Sequence, residues 1–429
     1  MTIKKPFITR AGSSLYEGRL PFRFAGPNIY WLGLDENVGG VDWPTPFRVC
    51  NALDTAVEMG ANVVRSHTLG ASVGDPKSLS PRLGEYNEEA FRRVDYAIKE
   101  AEDRGLRLII PFVCNWAYYH GGRETFTGWR DLTVRDLFYT NRDVIEDFKS
   151  YITVILNRVN TYSGIAYKED PTIMAWELGN ELNAAPVEWV KEICDYIKSI
   201  DNNHLVAHGK QFQLDADKLA VDSLDILDVH YYPANAEALV RDAKQVVEAG
   251  KVYIAGEFGW PDCDLEQFIA AAEENEAVSG TSFWSLFPHA DEGGYVHHFD
   301  GFSVHYPSSG TNPDLAARIQ QLRSHGYRMS GREVPQPIQP DVPIMKIEKG
   351  MVYFQGVVGA ASYSLEKSTA SSEGPWVTVY DKRPGDYGAP WIDPTRAHSV
   401  RTWYRLQAFG VSIRPSGYSE VIVSEPFTP

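Results

Sequence analysis

The chain has 429 residues, a net charge of −16 from 41 basic and 57 acidic residues, and four cysteines. That length suits one large domain with a small appendage, and a core of that size needs no disulfide or metal to hold it together. Acidic residues in excess, no basic cluster and no run long enough to span a bilayer argue against nucleic acid and membranes as partners. The start, Met1-Thr2-Ile3-Lys4-Lys5-Pro6, lacks the apolar stretch of a secretory signal, so a cytoplasmic protein is expected. Cys50, Cys114, Cys194 and Cys263 lie far apart in predicted helices or a buried strand, and read as reduced packing residues.

From residue 22 to about 325, short β-branched or apolar runs alternate with longer amphipathic segments. The predicted strands are Phe24–Tyr30, Asn62–Ser66, Leu106–Val113, Thr172–Trp176, His204–His208, Ile226–His230, Val252–Ala255 and Thr281–Leu286. Helical patterns fall between them at Asn87–Arg104, Val144–Val159, Pro186–Ile200, Ala236–Ala249 and Leu265–Ala277, with Asn87 and Asn141 placed as N-caps. Only Gly209–Ser223 lacks a helical face. Eight β-then-α units predict an α/β fold, a (β/α)8 TIM barrel over residues 1–332. Prolines 335, 337, 340 and 343 make 333–343 a stiff extended linker. Beyond it, 344–429 carries alternating strand-like runs separated by Gly, Ser, Asp and Pro turns, which predict a small all-β sandwich similar to a fibronectin type III module.

Two glutamates stand just past buried strands: Glu181, in Trp176-Glu177-Leu178-Gly179-Asn180-Glu181, and Glu257, in Ala255-Gly256-Glu257-Phe258-Gly259-Trp260. A carboxylate at the carboxy-terminal mouth of a barrel strand faces a cleft, and two of them are the machinery of a glycosidase. On the fourth and seventh strands they would face each other across the mouth, at the ~5–5.5 Å separation of a retaining pair. Aromatic residues, 12% of the chain with 11 Trp and 23 Tyr, crowd the predicted strand-to-helix loops, where they suit the faces of sugar rings.

The stretch Gly164–Glu181 resembles the fourth-strand region of glycoside hydrolase family 5, within its β-mannanase and β-mannosidase branch, and the resemblance extends over about residues 20–325. It implies that Glu181 is the acid/base and Glu257 the nucleophile. Asn180 matches the residue that hydrogen-bonds the sugar 2-OH, and Arg65 the arginine that keeps the nucleophile ionised. In His230-Tyr231-Tyr232, His230 would line the −1 subsite and Tyr232 would orient the nucleophile. Trp284 matches the strand-eight sugar platform. Asn115 and Trp116, with Tyr118, Tyr119 and His120 after them, resemble glycone-side binding residues. Where the family often has a proline after the acid/base, this chain has Leu182-Asn183. His208, ending strand five, either lines the site or is structural.

The segment His289–Asp300 is dense in metal-capable side chains but lacks the tight ligand spacing of a zinc site, and reads as a loop shaping one wall of the cleft. No metal or cofactor is expected. Together these features predict a retaining β-mannoside hydrolase on an oligosaccharide substrate. An exo-acting β-mannosidase on short β-1,4-manno-oligosaccharides or mannosyl-N-acetylglucosamine is expected, because the loops Asn115–Asp136 and Pro288–Asn312 are placed to close one end of the cleft. The rivals are an endo-β-1,4-mannanase, a β-glucan hydrolase and a catalytically silent carbohydrate-binding protein. A homo-oligomer is left open.

Overall fold

The computed structural model describes residues 5–308, 312–412 and 414–426, so part of the expected loop Pro288–Asn312, residues 309–311, lies outside the described residues. The chain divides into two compact units. One holds Met1–Pro44, Gly60–Ser285 and His325–Arg332, and the other holds Thr45–Met59, Leu286–Ser324 and Glu333–Pro429.

The first unit contains eight parallel strands: Phe24–Pro27, Val63–Arg65, Arg107–Pro111, Ile173–Glu177, Leu205–Gln211, Ile226–Tyr231, Val252–Gly259 and Val278–Trp284. Strands adjacent in sequence are adjacent in the sheet from the second to the eighth, and the eighth pairs with the first. A parallel bridge between Asn28 and Arg65, with Ile29 N–H donating to the Arg65 carbonyl at 2.9 Å, brings first and second together and closes the barrel. Gly26 permits that closure, since a Cβ there would lie 1.9 Å from the Val63 carbonyl oxygen. The strands read as largely apolar runs because a barrel buries both their faces.

The helices follow their local signals. Asn87 caps Glu88–Asp103, its side chain accepting from the N–H groups of Glu89 and Ala90, and Phe91, Val94, Ala97, Ile98 and Ala101 form the buried stripe. Asn141 caps Arg142–Asn157 in the same way. The fifth connection carries only a short 3-10 turn, Ala216–Ala220, as its missing helical face implies.

A three-stranded antiparallel sheet, Ile8–Ala11, Ser14–Glu17 and Leu20–Phe22, precedes the barrel and was not expected from the sequence. Its strands are three or four residues long, too short for alternation to register. Ile8, Leu15 and Phe22 join the same apolar cluster as Met174, Leu205 and Val252 of the barrel. Arg10 donates to Asp225, just before the sixth strand, at 2.6 Å, and Arg107, opening the third strand, pairs with Glu17. These contacts sit at the amino-terminal ends of the strands, so the small sheet stoppers that end of the barrel and leaves the other end to function.

In the second unit, Ile344–Glu348, Met351–Gln355 and the short Trp391–Ile392 form one antiparallel sheet. Ala360–Ser368, Val377–Pro384, Thr402–Gly410 and Ile422–Ser424 form another. Phe354 and Trp391 from the first meet Tyr363, Leu365 and Leu406 from the second in one buried core. The metal-capable side chains of the loop after the eighth strand are engaged within this unit: the ring of Tyr295 stacks on His289 at 4.5 Å and on His305 at 4.8 Å, and His289 meets Asn51. Cys114 and Cys194 are buried and form no disulfide. Among the described residues, no helix is long and apolar enough to cross a membrane.

Candidate active site

The carboxy-terminal mouth of the barrel gathers Arg65, Asn180, Glu181, His230, Tyr232 and Glu257 around one point. Inward-facing positions alternate along a strand, so Asp228, His230 and Tyr232 rise in tiers from the sixth strand. Glu257 lies within the neighbouring seventh strand, buried, in register with His230. Glu181 stands four residues beyond the fourth strand, with φ at +55°. A non-glycine residue in that region is strained by on the order of 1 kcal/mol or more. The turn is pinned on both sides: Asn180 N–H donates to the Val113 carbonyl at 2.7 Å and Leu182 N–H to the Gly209 carbonyl at 3.1 Å. Strands three and five thus hold the Glu181 backbone where its side chain reaches the barrel axis.

The two carboxylates are close. An oxygen of Glu181, an oxygen of Glu257 and a ring nitrogen of His230 all lie within 4.8 Å of one another. Glu181 accepts from the Trp116 indole N–H at 2.6 Å through Oε2 and meets His230 Nδ1 at 2.9 Å through Oε1. Glu257 Oε1 accepts from Arg65 Nη1 at 2.6 Å and lies 3.3 Å from His67 Nε2, while its Oε2 accepts from the Tyr232 hydroxyl at 2.9 Å. Burial alone would raise the Glu257 carboxyl, but the charge of His230, the hydrogen bond from His67 and the charge of Arg65 reverse this and hold it well below the usual range. His230 is the converse case. Burial pulls it down, yet the charges of Glu257 and Asp228 raise it well above its ordinary value. His67 and His120 are driven by burial toward the neutral form, His120 down to about 3.

One wall is aromatic. Trp284 stacks on Tyr30, with ring centroids 5.1 Å apart and planes 15° apart, and meets His67 at 5.3 Å. Asn180 accepts from Arg65 Nη2 at 3.0 Å and donates to Cys114 Sγ at 3.4 Å.

Other residues singled out in the sequence have partners of their own around the mouth. Asn115 is buried and accepts from Arg123 and from the Asn183 N–H, which ties the loops after strands three and four together. Tyr119 donates to the Leu34 carbonyl at 2.8 Å, and His208 pairs with Asp215 at 3.0 Å. Tyr118 is exposed. Conversely, sequence reasoning passed over Asn28, Tyr30, His67, Glu177 and Asp228. Charged residues at Glu177 and Asp228, inside otherwise apolar strand runs, were the available signal.

Two sets of side chains have the spacing of metal ligands: Glu177, Asp228 and His230, and Glu181, His230 and Glu257. Arg65 already lies against carboxylates of both sets, 3.7 Å from Asp228 and 2.6 Å from Glu257, so a guanidinium stands where an ion would compete. The arrangement instead suits acid–base and nucleophilic chemistry at a neutral, hydroxyl-rich molecule.

Residues 5–254 match the family model described as GH family 5 beta-mannosidase-like, which is more than half of the chain. The chain belongs to glycoside hydrolase family 5. Mannan endo-1,4-beta-mannosidase 3 of Arabidopsis thaliana is 29% identical over 339 residues, spanning 67% of this chain and 79% of the relative. The hyperthermostable endo-1,4-beta-D-mannanase of Thermotoga petrophila RKU-1 has a solved structure that is 26% identical, with a TM-score of 0.61 over 70% of this chain and 99% of that one. The glycoside hydrolase family 5 mannosidase of Rhizomucor miehei shares the fold, at 21% identity and a TM-score of 0.60 over 76% of this chain and 98% of that one. The family 5 chain described above is therefore a glycoside hydrolase of the β-mannanase and β-mannosidase group.

Proposed function

We propose that this enzyme cleaves β-1,4-mannosidic bonds with retention of configuration, Glu257 acting as nucleophile and Glu181 as acid/base. The observation that carries the reading is the approach of the two carboxylates to within 4.8 Å. An inverting pair needs roughly 6.5–9.5 Å to admit a water between them. Glu257 attacks the anomeric carbon as the glycosidic bond breaks, and the leaving oxygen takes the proton of Glu181. Glu181 then takes a proton from water, whose oxygen attacks the same carbon and releases Glu257. The partners suit those roles. Arg65, His67 and Tyr232 keep Glu257 ionised, and Trp116 and His230 aim Glu181. Trp284 on Tyr30 offers a flat face to the sugar, and Asn180 stands beside Glu181 to meet its 2-OH.

For the mode of attack we infer internal cleavage of mannan chains, because the first curated relatives are named mannan endo-1,4-beta-mannosidases. The exo-acting reading drawn from the loop lengths keeps its own support, the β-mannosidase-like description of the matching family model. A cytoplasmic site of action belongs to the same proposal and is supported by the buried thiols of Cys114 and Cys194, which form no disulfide. The fibronectin type III likeness of the sandwich is likewise proposed, supported by its two packed antiparallel sheets.

The chemistry is tested by following the anomeric proton of the first product by NMR and by assaying Glu257→Ala. We expect a β-configured reducing end on the first product, no turnover by Glu257→Ala, and rescue by azide with inverted product. An α-configured first product, or near-normal turnover by Glu257→Ala, would refute the assignment.

A further inference from the structure

Beneath the paired glutamates lies a second tier of acid that the proposed chemistry leaves unused. Glu177, the last residue of the fourth barrel strand, has no solvent exposure. Its two oxygens take a fork from Arg65, Nε to Oε2 at 2.8 Å and Nη2 to Oε1 at 3.0 Å. The remaining nitrogen of the guanidinium, Nη1, donates to Glu257 at 2.6 Å and to Asn28 at 3.1 Å. A planar guanidinium gripped along one edge has no rotational freedom left, so the fork sets the direction of Nη1. Room for this carboxylate is built into the neighbouring strand. Gly209, on the fifth strand, is the only residue type that fits there, because a Cβ would come within 2.1 Å of Glu177 Oε1.

We propose that Glu177 is a positioning residue, which acts on the reaction by aiming Arg65 at Glu257 rather than by touching substrate. This rests on the assignment of Glu257 as nucleophile. Glutamine at position 177 would offer one acceptor and place an N–H₂ against a guanidinium N–H, so one arm of the fork is lost.

The groups around Glu257 come from the second, fourth and sixth strands and their extensions. They are Arg65 and His67 from the second strand and its extension, Glu181 after the fourth, Asp228, His230 and Tyr232 on the sixth, and Glu177 behind Arg65. Two effects of removing Glu177 therefore oppose each other. Burial raises the Glu177 carboxyl to about 7 against the charge of Arg65, and wherever it is ionised its loss favours the ionised form of Glu257 and moves the acid limb of kcat/KM to lower pH. Release of Arg65 disfavours that form and moves the limb to higher pH. The sign of the shift separates aiming from bulk electrostatics.

The experiment compares wild type, Glu177→Gln, Gly209→Ala and Glu257→Ala in the full-length protein, with 4-nitrophenyl β-mannoside as substrate and thermal unfolding as the control. Gly209→Ala pushes the Glu177 carboxylate off its partner while leaving its charge in place. For both Glu177→Gln and Gly209→Ala we expect kcat to fall on the order of 10²-fold, as a small misplacement can produce. KM should change little, and the acid limb should move to higher pH. If only one of the two variants folds, that variant decides. An acid limb moved to lower pH in Glu177→Gln, or a lowered Tm with kcat unchanged per folded molecule, overturns the aiming role. A dead Glu257→Ala beside a normal Glu177→Gln sinks this inference alone. An active Glu257→Ala sinks the nucleophile assignment and this inference with it.

Discussion

A single hydroxyl contact illustrates how Glu257, the proposed nucleophile, is kept ready. Tyr232 and Arg65 each donate to a different oxygen of Glu257, so both lone-pair sets are held before substrate arrives. The folded pKa of Glu257 is depressed, so its ionised form contributes stability above the unfolded value of about 4.3, and that contribution is lost as pH falls through the folded value. The acid limb of kcat/KM reports the same carboxylate, and it should lie below the ordinary carboxylate range in wild type. Tyr232→Phe removes one donor to a charged group. We expect a loss of about 10- to 100-fold in kcat/KM and a limb moved to higher pH, read from a pH–rate profile. A limb that stays put would exclude Tyr232 from setting the charge of Glu257. Glu181 is tested by leaving group. An activated aryl mannoside needs little protonation, so Glu181→Ala should spare its first step far more than hydrolysis of mannobiose. Equal losses on both would argue against an acid role.

The elements carry stability at the end of the barrel away from the chemistry. Leu15 sits in the middle strand of the amino-terminal sheet, is 1% exposed and reaches the core shared with the barrel strands. Leu15→Ala should cost about 2–5 kcal/mol, measured by urea unfolding, while activity per folded molecule stays at wild-type level. A parallel fall in specific activity would mean the small sheet does more than stopper the barrel. The helix cap at Asn87 offers a smaller increment. Its side chain satisfies two amide groups of the first turn, and Asn87→Ala should cost about 1 kcal/mol. No measurable change in the denaturation midpoint would show that the tertiary packing of the Phe91–Ala101 stripe holds the helix alone.

At the scale of the whole molecule the open variable is where along a polymer the enzyme cuts. Internal cleavage of mannohexaose should give mannobiose, mannotriose and mannotetraose in the first minutes, together with a rapid fall in the viscosity of polymeric mannan. If mannose and mannopentaose dominate and the viscosity holds, chain-end attack is the mode. Both outcomes leave the proposed retaining chemistry intact, because the pair of glutamates is the same in either case.

The sequence by itself determined the barrel and the paired acids. Eight apolar runs, separated by amphipathic segments, have few ways to bury themselves, and a parallel closed sheet with helices outside is the one that covers both faces of every strand. Glu181 and Glu257 were legible because glutamates at strand ends, each beside an aromatic residue, stand out from any core pattern. What surrounds them was decided only by the fold. Arg65 meets Glu177 across 112 positions and Glu257 across 192, and no local pattern encodes such distances. Glu177 sat unremarked four residues before Glu181, because a buried carboxylate makes sense only once the guanidinium that pairs with it is in place. The amino-terminal sheet escaped notice for a related reason. Its strands are too short to show a period, and they exist because the open end of a barrel exposes apolar side chains that something must cover.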